Sequence, residues 1–357
     1  MDKVVVGMSG GVDSAVAAYL LKKAGYDVIG VTLRVWQADD CTESRCCDID
    51  DARSVANKIG MSYYPVNCIS DFHRCVVDPF VKDYLQGLTP NPCVECNRYV
   101  KWEKLLYYAN VIGAKYIATG HYASVIKADN GRYTVKKALH TDKDQTYMLY
   151  KLKQEQLAAT LMPLGNLSKD EVRQIAKDAG LPVASKKDSQ DVCFVTDGSY
   201  ADYITKITAS DPNAGGQFVD ENGHILGRHK GIIHYTVGQR RGLGITLGYP
   251  AYVKEICPDK NEVVIGDEQS LYSRELLCRN VNFMSIAALD KNKKIICTVK
   301  VRYRHNGQLA EIELSGDNLI KITFKEPIRA ATPGQSAVFY DDDGCVIGGG
   351  IIAKVLR

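Results

Sequence analysis

Two stretches of this 357-residue chain carry side chains that can do chemistry, and they point to different kinds of it. The first is Ser9-Gly10-Gly11-Val12-Asp13-Ser14, which follows the apolar run from Lys3 to Gly7 and precedes a helical pattern. Glycines at 10 and 11 can take backbone angles that bulkier residues avoid. Successive N–H groups can then turn inward on one anion at the positive end of the next helix, with Ser9 and Ser14 as further donors. No Gly-Lys-Ser/Thr closes the loop, so it is not a Walker loop. A glycine turn with an ordinary N-cap explains the glycines alone, not the whole set behind a strand. The second stretch is Thr89-Pro90-Asn91-Pro92-Cys93-Val94-Glu95-Cys96-Asn97-Arg98, where two prolines make a stiff turn presenting two thiols. A third thiol, Cys193, follows the basic pair Lys186-Lys187. Thiolates are the nucleophilic form and nearby cations favour them, which makes Lys186, Lys187 and Arg98 the candidate activators. Cys93 and Cys96 also have metal-ligand spacing. Cys193, His121 or the cluster Cys41, Cys46 and Cys47 would complete a zinc site, and three cysteines would hold an iron–sulfur cluster with one iron left open. Isolated cysteines such as Cys68, Cys257 and Cys278 read as buried structural thiols.

These groups need a scaffold that brings distant loops together, and the hydrophobic pattern supplies one. Strand-like runs at Lys3–Gly7, Asp27–Val35, Met61–Asn67 and Lys115–Ala118 alternate with helical runs at Ala15–Ala24, up to Ile59, Phe72–Leu85 and Val100–Ile112. Such alternation predicts an α/β doubly wound parallel sheet with its ligand at the carboxyl ends of the strands, where Ser9, Leu33 and Gly120 all lie. Asp129-Asn130-Gly131 marks a hairpin, and Ser168 with Glu171 marks a capped helix. Near Asp211–Gly216 the pattern changes to short β-like runs between turns. The expected division is 1–210 for the catalytic domain, 211–272 for a small linking domain and 273–357 for a C-terminal β-barrel. Barrel strands are expected near Lys294–Tyr303, Leu309–Leu314, Leu319–Phe324 and Ser336–Tyr340.

Composition narrows the setting. Apolar content of 45% and charged content of 24% are those of a globular protein, and no apolar run approaches the roughly 20 residues of a membrane span. Met1-Asp2-Lys3 leads straight into a strand, so a cytoplasmic protein without a membrane partner is expected, its twelve cysteines mostly reduced. A formal charge of +3 decides nothing about partners; an RNA face would need a local patch. Lys136, Lys137, Lys143, Lys151, Arg228, Lys230, Arg240, Arg241, Arg302 and Arg304 are the candidates.

The loop at 9–14 resembles the signature of the ATP-pyrophosphatase (PP-loop) superfamily, whose members cleave ATP between its α and β phosphates and adenylate a carbonyl oxygen. Further motifs occur with it in order: Thr89-Pro90-Asn91-Pro92 with Cys96-Asn97, Ala118-Thr119-Gly120-His121-Tyr122, Lys143-Asp144-Gln145 with Tyr147, and Lys186-Lys187-Asp188-Ser189. Gly238-Gln239-Arg240 with Gly242-Leu243-Gly244, Thr332–Tyr340 and Gly348–Ile352 complete the series. Together they resemble, over the whole chain, the bacterial tRNA-specific 2-thiouridylase family, which replaces the C2 oxygen of the wobble uridine by sulfur. The resemblance implies a nucleotide site at Gly7, Met8, Ser9, Gly10, Gly11, Val12, Asp13 and Ser14 with Leu33 and Gly120. It implies that Cys96 is the nucleophile and Cys193 the persulfide carrier, closing to a disulfide after sulfur release. Target-base contacts fall on Asn91, Pro92 and Cys93, and tRNA contacts on His121, Lys143, Asp144, Gln145, Tyr303, Arg304 and Gln335. ATP with Mg²⁺ is the implied cofactor. The implied partners are the anticodon arm of Lys, Glu and Gln tRNAs and a cysteine desulfurase or sulfur-relay protein. Many members carry Asp where this chain has Cys93, which leaves a three-cysteine iron–sulfur cluster as the alternative to the persulfide. Two further rivals are a PP-loop synthetase acting on a small metabolite, which would leave Cys96 and Cys193 unexplained, and a non-catalytic zinc or iron–sulfur RNA-binding protein, which would leave the Ser9–Ser14 loop unexplained.

Overall fold

The computed structural model describes residues 1–36, 49–187, 192–195, 198–208, 215–316 and 318–356. Cys41, Cys46, Cys47, Asp188 and Ser189 lie outside the described residues. The N-terminal half is a five-stranded sheet. Its strands are β1 (Lys3–Gly7), β2 (Asp27–Arg34), β3 (Ser62–Asn67), β4 (Tyr116–Ala118) and, after the hairpin β5 (Ala123–Lys127) and β6 (Tyr133–Lys137), β7 (Thr160–Leu161). The order is β3-β2-β1-β4-β7 and every pairing is parallel, as the alternating pattern predicts. Strand order reverses between β1 and β4, with Val6 opposite Ala118, so the loops after Gly7 and Ala118 leave the sheet side by side at its switch point.

Helices cover the sheet: α1 (Val12–Lys23), α2 (Ile49–Ile59), α3 (Ile69–Phe72) continuing through a π-turn into α4 (Asp78–Leu85), α5 (Pro92–Cys96), α6 (Trp102–Val111), α7 (Gln154–Ala158), α8 (Lys169–Asp178) and α9 (Tyr200–Thr208). The expected capping box is present, with Glu171 N–H donating to Ser168 Oγ at 3.2 Å and Ser168 N–H to Glu171 Oε2 at 2.7 Å. One expectation changes. The stretch from Asn91 is not a turn but the start of a helix, because Asn91 caps it and Pro92, whose missing N–H is harmless at the first position, opens it.

A four-stranded sheet follows, made of β8 (Gln217–Val219), β9 (Ile225–Arg228), β10 (Tyr252–Cys257) and β11 (Glu262–Gly266). The last six strands close a barrel: β12 (Tyr272–Phe283), β13 (Ile295–Lys300), β14 (Gln308–Leu314), β15 (Ile320–Arg329), β16 (Ser336–Tyr340) and β17 (Val346–Leu356). Strand β17 is built through Gly348-Gly349-Gly350, which strand propensity disfavours. The reason is packing: a Cβ on Gly349 would stand 2.6 Å from the Tyr150 ring.

The barrel is bolted to the hairpin β5–β6 and the segment after it by buried and part-buried hydrogen bonds. Asn282 Nδ2 donates to Tyr150 O at 2.7 Å, Tyr147 OH to Ser336 O at 2.9 Å, Thr134 Oγ1 to Val346 O at 2.6 Å and Arg132 Nε to Met284 O at 2.9 Å. Each is worth about 0.5–1.5 kcal/mol net, and removing any one of these donors would leave its carbonyl partner unpaired inside the intact contact. The two halves therefore stand as one body around the site.

Candidate active site

The loop after β1 is shaped by its own hydroxyls. Ser9 N–H donates to Ser14 Oγ at 3.1 Å, Ser14 Oγ donates to Gly11 O at 3.1 Å, and the two hydroxyls lie 3.2 Å apart. Gly10 holds φ +74°, where glycine is needed, whereas Gly11 caps α1 at φ −94° in ordinary extended backbone. Below the loop, Tyr63 OH donates to Thr32 Oγ1 at 2.8 Å and Thr32 Oγ1 to Met8 O at 2.7 Å, which bolts the loop to β2. Gly7, Met8, Val12 and Leu33 form the apolar floor at these strand ends, Leu33 being buried. Across the switch point Gly120 leaves no room for a side chain: a Cβ there would lie 2.7 Å from Asp13 C and from Ser14 N.

Asp13 is held from two sides. Tyr122 OH donates to Asp13 Oδ1 at 2.8 Å, and Lys169 Nζ reaches Oδ1 at 2.7 Å and Oδ2 at 2.9 Å from the first position of α8. The Ser9–Ser14 segment carries no cation, so this lysine supplies the one beside it. Lys169 was not among the sequence-derived site residues. One signal for it exists, since a lysine in a helix's first turn opposes the dipole and wants a compensating partner.

The thiols sit at the head of a helix. Asn91 Oδ1 accepts from Cys93 N–H at 3.2 Å, placing exposed Cys93 and buried Cys96 in the first turn and a half, where partial positive charge favours sulfur anions. A π-helical turn, Asn97–Lys101, follows at once and runs into α6, an irregularity often found at functional sites. Asn97, which the sequence showed in a motif but not as a site residue, donates to Met148 O at 3.1 Å while its buried Oδ1 has no hydrogen-bond partner among the described residues. Two of the three suggested cationic activators have acidic partners. Arg98 is buried against Glu103 at 2.6 Å, and Lys186 pairs with Asp51 at 2.5 Å; Lys187 is exposed. Cys193 is half-buried, and its neighbour Phe194 packs on Phe72 and Phe80 beneath the cysteine helix's core.

His121 stands between the switch-point loop and the start of α6. Its ring lies 5.3 Å from Trp102, the first residue of α6, and its Nδ1 is 2.9 Å from Thr119 Oγ1. Burial, with Lys101 nearby, pushes its pKa down to about 3, so it stays neutral. Of the other residues expected at tRNA, Asp144 is buried and accepts from Ala138 N–H at 3.2 Å and Thr146 Oγ1 at 2.8 Å, while Gln145 Oε1 accepts from Tyr122 N–H at 2.9 Å. Both brace the turn that presents half-buried Lys143. Tyr303 is half-buried, its phenol raised by burial with Asp144 and Cys93 close by, and Arg304 beside it is exposed. Gln335 Nε2 donates to Thr89 O at 2.8 Å, on the cysteine segment itself. Among the basic candidates, Arg240 and Arg241 stand exposed in a glycine-rich loop, whereas Lys151 is bonded to Glu95.

Among the described residues no three His, Cys, Asp or Glu side chains gather closely enough to hold a metal ion. As they stand, Cys93, Cys96 and Cys193 form no such cluster among the described residues.

Family models match the chain in three blocks: a tRNA methyl transferase HUP domain over residues 2–197, a PRC-barrel domain over 202–267 and an aminomethyltransferase β-barrel domain over 273–352. A curated relative in Lachnoclostridium phytofermentans, a tRNA-specific 2-thiouridylase, is 53% identical over 99% of this chain and 100% of its own length. Another in Clostridioides difficile is 50% identical over 99% of each. The chain belongs to the tRNA-specific 2-thiouridylase family. The family match spans the phosphate loop, the cysteine helix and the barrel alike. A solved U34-tRNA thiolase from Methanococcus maripaludis aligns over 58% of this chain and 64% of its own at 21% identity and a TM-score of 0.37. Among the described residues no helix is long and apolar enough to cross a membrane.

Proposed function

We propose that this chain is an ATP-dependent tRNA-uridine 2-sulfurtransferase that works through a cysteine persulfide. The observation that carries the reading is that the Thr119–Tyr122 segment runs from the phosphate loop to the helix behind the thiols: Tyr122 OH bonds Asp13, and the His121 ring lies tilted against Trp102 at the start of α6, which continues from the cysteine helix through the π-turn. Adenylation and sulfur attack are then steps on opposite sides of one strand end.

In this reading the N–H groups and hydroxyls of Ser9–Ser14 take the phosphates of ATP, whose Mg²⁺ arrives with the nucleotide as counter-ion. Leu33 and Gly120 bound the rest of the nucleotide. The uridine O2 attacks the α-phosphorus and pyrophosphate leaves with Lys169 beside it, converting a poor leaving oxygen into AMP. The target base, drawn from a single-stranded anticodon loop, is taken up by Asn91, Pro92 and Cys93. Cys193 carries the persulfide delivered by a desulfurase or relay protein. The Cys96 thiolate attacks the inner sulfur, the outer sulfur leaves as hydrosulfide, and that anion attacks C2 and expels AMP. A Cys96–Cys193 disulfide remains, which an external dithiol must reduce before the next turnover. Lys143, Tyr303 and Arg304 form the tRNA-side surface, braced from within by His121, Asp144, Gln145 and Gln335, and Lys143 and Arg304 supply charge to phosphates. The same reading divides the chain at about 210 and 272 into catalytic, linking and barrel domains, and places it in the cytoplasm, where its thiols stay reduced.

The test is pyrophosphate release from ATP with and without tRNA, with nucleosides analysed by mass spectrometry. Release that needs tRNA and accompanies 2-thiouridine supports the proposal. Release on a small metabolite without tRNA refutes it.

A further inference from the structure

We propose that Gln335, a barrel residue, is a positioning residue for the cysteine helix, so that the C-terminal barrel sets where Cys93 and Cys96 stand. Its side chain donates to two consecutive carbonyls, Thr89 O at 2.8 Å and Pro90 O at 3.4 Å. The two amide hydrogens of Gln335 thus have two carbonyl acceptors within the protein, and only its Oε1 is left to turn toward RNA. Thr89 N–H returns the contact by donating to Pro333 O at 2.9 Å. Gly334, at φ +93°, lies so close that a Cβ would stand 2.7 Å from Thr89 N and 3.0 Å from Leu88 Cβ.

Each side of this clasp is anchored. On the barrel side, Gly334 N–H donates to Ile352 O at 2.9 Å and Ile352 N–H to Gln335 O at 2.8 Å, which ties the turn to β17. On the other side the gripped carbonyls come immediately before Asn91, whose side chain caps the helix through Cys93 N–H and also donates to Met148 Sδ at 3.4 Å. Pro90 and Pro92 have no N–H of their own to tie this segment down. Gln335 therefore joins the Thr89–Pro333 and Asn91–Met148 contacts in fixing the approach to the helix's first turn. Tyr303 is a second side chain of the barrel half on this side, its phenol raised by burial first, with Asp144 and Cys93 adding to it. Barrel contact and thiol placement form one mechanical unit.

This inference rests on the proposed role of Cys96, but its test does not need that role. In protein free of tRNA, ATP and sulfur donor, alkylation of Cys96 by iodoacetamide is followed against pH by peptide mass spectrometry. Cys96 is 7% exposed, so its alkylation reports opening of the helix head. Gln335→Leu removes both donors and Gln335→Glu turns an acceptor on the carbonyls. Each should raise the high-pH plateau for Cys96 about tenfold, the scale of one or two lost hydrogen bonds. Gln335→Lys, which keeps donors in reach, should restore protection. At saturating tRNA the Gln335→Leu variant should lose about tenfold more in sulfur transfer than in adenylation. Should that variant not fold, Gly334→Ala pushes on Thr89 from the other side and should give the same plateau. Unchanged alkylation with a raised KM for tRNA would make Gln335 a plain RNA contact and overturn the inference, as would equal loss of both steps. A chain whose Cys96 is guarded by Gln335 yet makes no 2-thiouridine would refute the proposed function and leave this inference standing.

Discussion

Replacing Lys169 by methionine removes the cation beside the phosphate loop while keeping most of the side chain's length. The ion pair with Asp13 is partly buried, with side-chain exposures of 11% for Lys169 and 33% for Asp13. An exposed pair is worth about 0–1 kcal/mol, and breaking a fully buried one costs about 3–5 kcal/mol. With one partner sheltered and the other a third open, the middle of that span, about 2 kcal/mol, applies. Tyr122 OH still holds Asp13 Oδ1 at 2.8 Å, so the loop keeps one anchor, but an uncompensated carboxylate now faces the incoming phosphates. At about 1.36 kcal/mol per decade, kcat/KM for ATP in tRNA adenylation should fall about 30-fold. The assay is AMP transfer to saturating tRNA over a range of ATP concentrations, with tRNA affinity and Cys96 alkylation measured alongside and expected to stay at parental values. Lys169→Arg should recover part of the loss. A kcat/KM for ATP within about twofold of the parent would refute the reasoning that this pair organises the loop.

Gly120→Ala places a methyl 2.7 Å from Asp13 C and Ser14 N, so ATP binding by calorimetry should be lost while tRNA binding in filter assays persists. His121, held neutral with a pKa of about 3, takes up a proton near pH 6.5 only when unfolded, so its contribution to stability is complete above that pH and declines below it. Between pH 7.5 and 5.5 the parent should lose about 1.4 kcal/mol that His121→Phe does not lose, read from paired denaturant titrations at each pH. Cys93→Asp should keep thiolation, because a carboxylate at the helix head can orient the base or move a proton and the persulfide route uses only Cys96 and Cys193. Loss of thiolation in that variant would make Cys93 an obligatory thiol.

The parts of the molecule legible in the sequence are those whose physics is local. The phosphate loop shows itself because Gly10 needs a positive φ and the hydroxyls that shape the turn lie within five residues of each other. The parallel sheet follows from alternation, and the β-rich C-terminal half from its turns. What escaped was set by contacts over long sequence distances. Lys169 meets Asp13 across 156 residues, and its only local trace is an unfavourable place on a helix. The glycines of β17 hide a strand because their reason is the Tyr150 ring, not the strand itself. Two prolines around Asn91 make its segment look like a turn, although Asn and Pro in that order are also how a helix begins. Gln335, Asp144 and Gln145 stand out as polar residues in recurring motifs, yet only their partners reveal that much of their hydrogen bonding is turned inward.

The measurement closest to the central claim is a single turnover by aerobically purified, metal-free protein given tRNA, ATP, a cysteine desulfurase and cysteine. AMP, pyrophosphate and 2-thiouridine are quantified, and disulfides are mapped by peptide mass spectrometry. The account predicts the three products in equal amounts, matched by a Cys96–Cys193 disulfide that is absent from the Cys96→Ser and Cys193→Ser variants. No product under these conditions, with product appearing after anaerobic reconstitution with iron and sulfide, would contradict it.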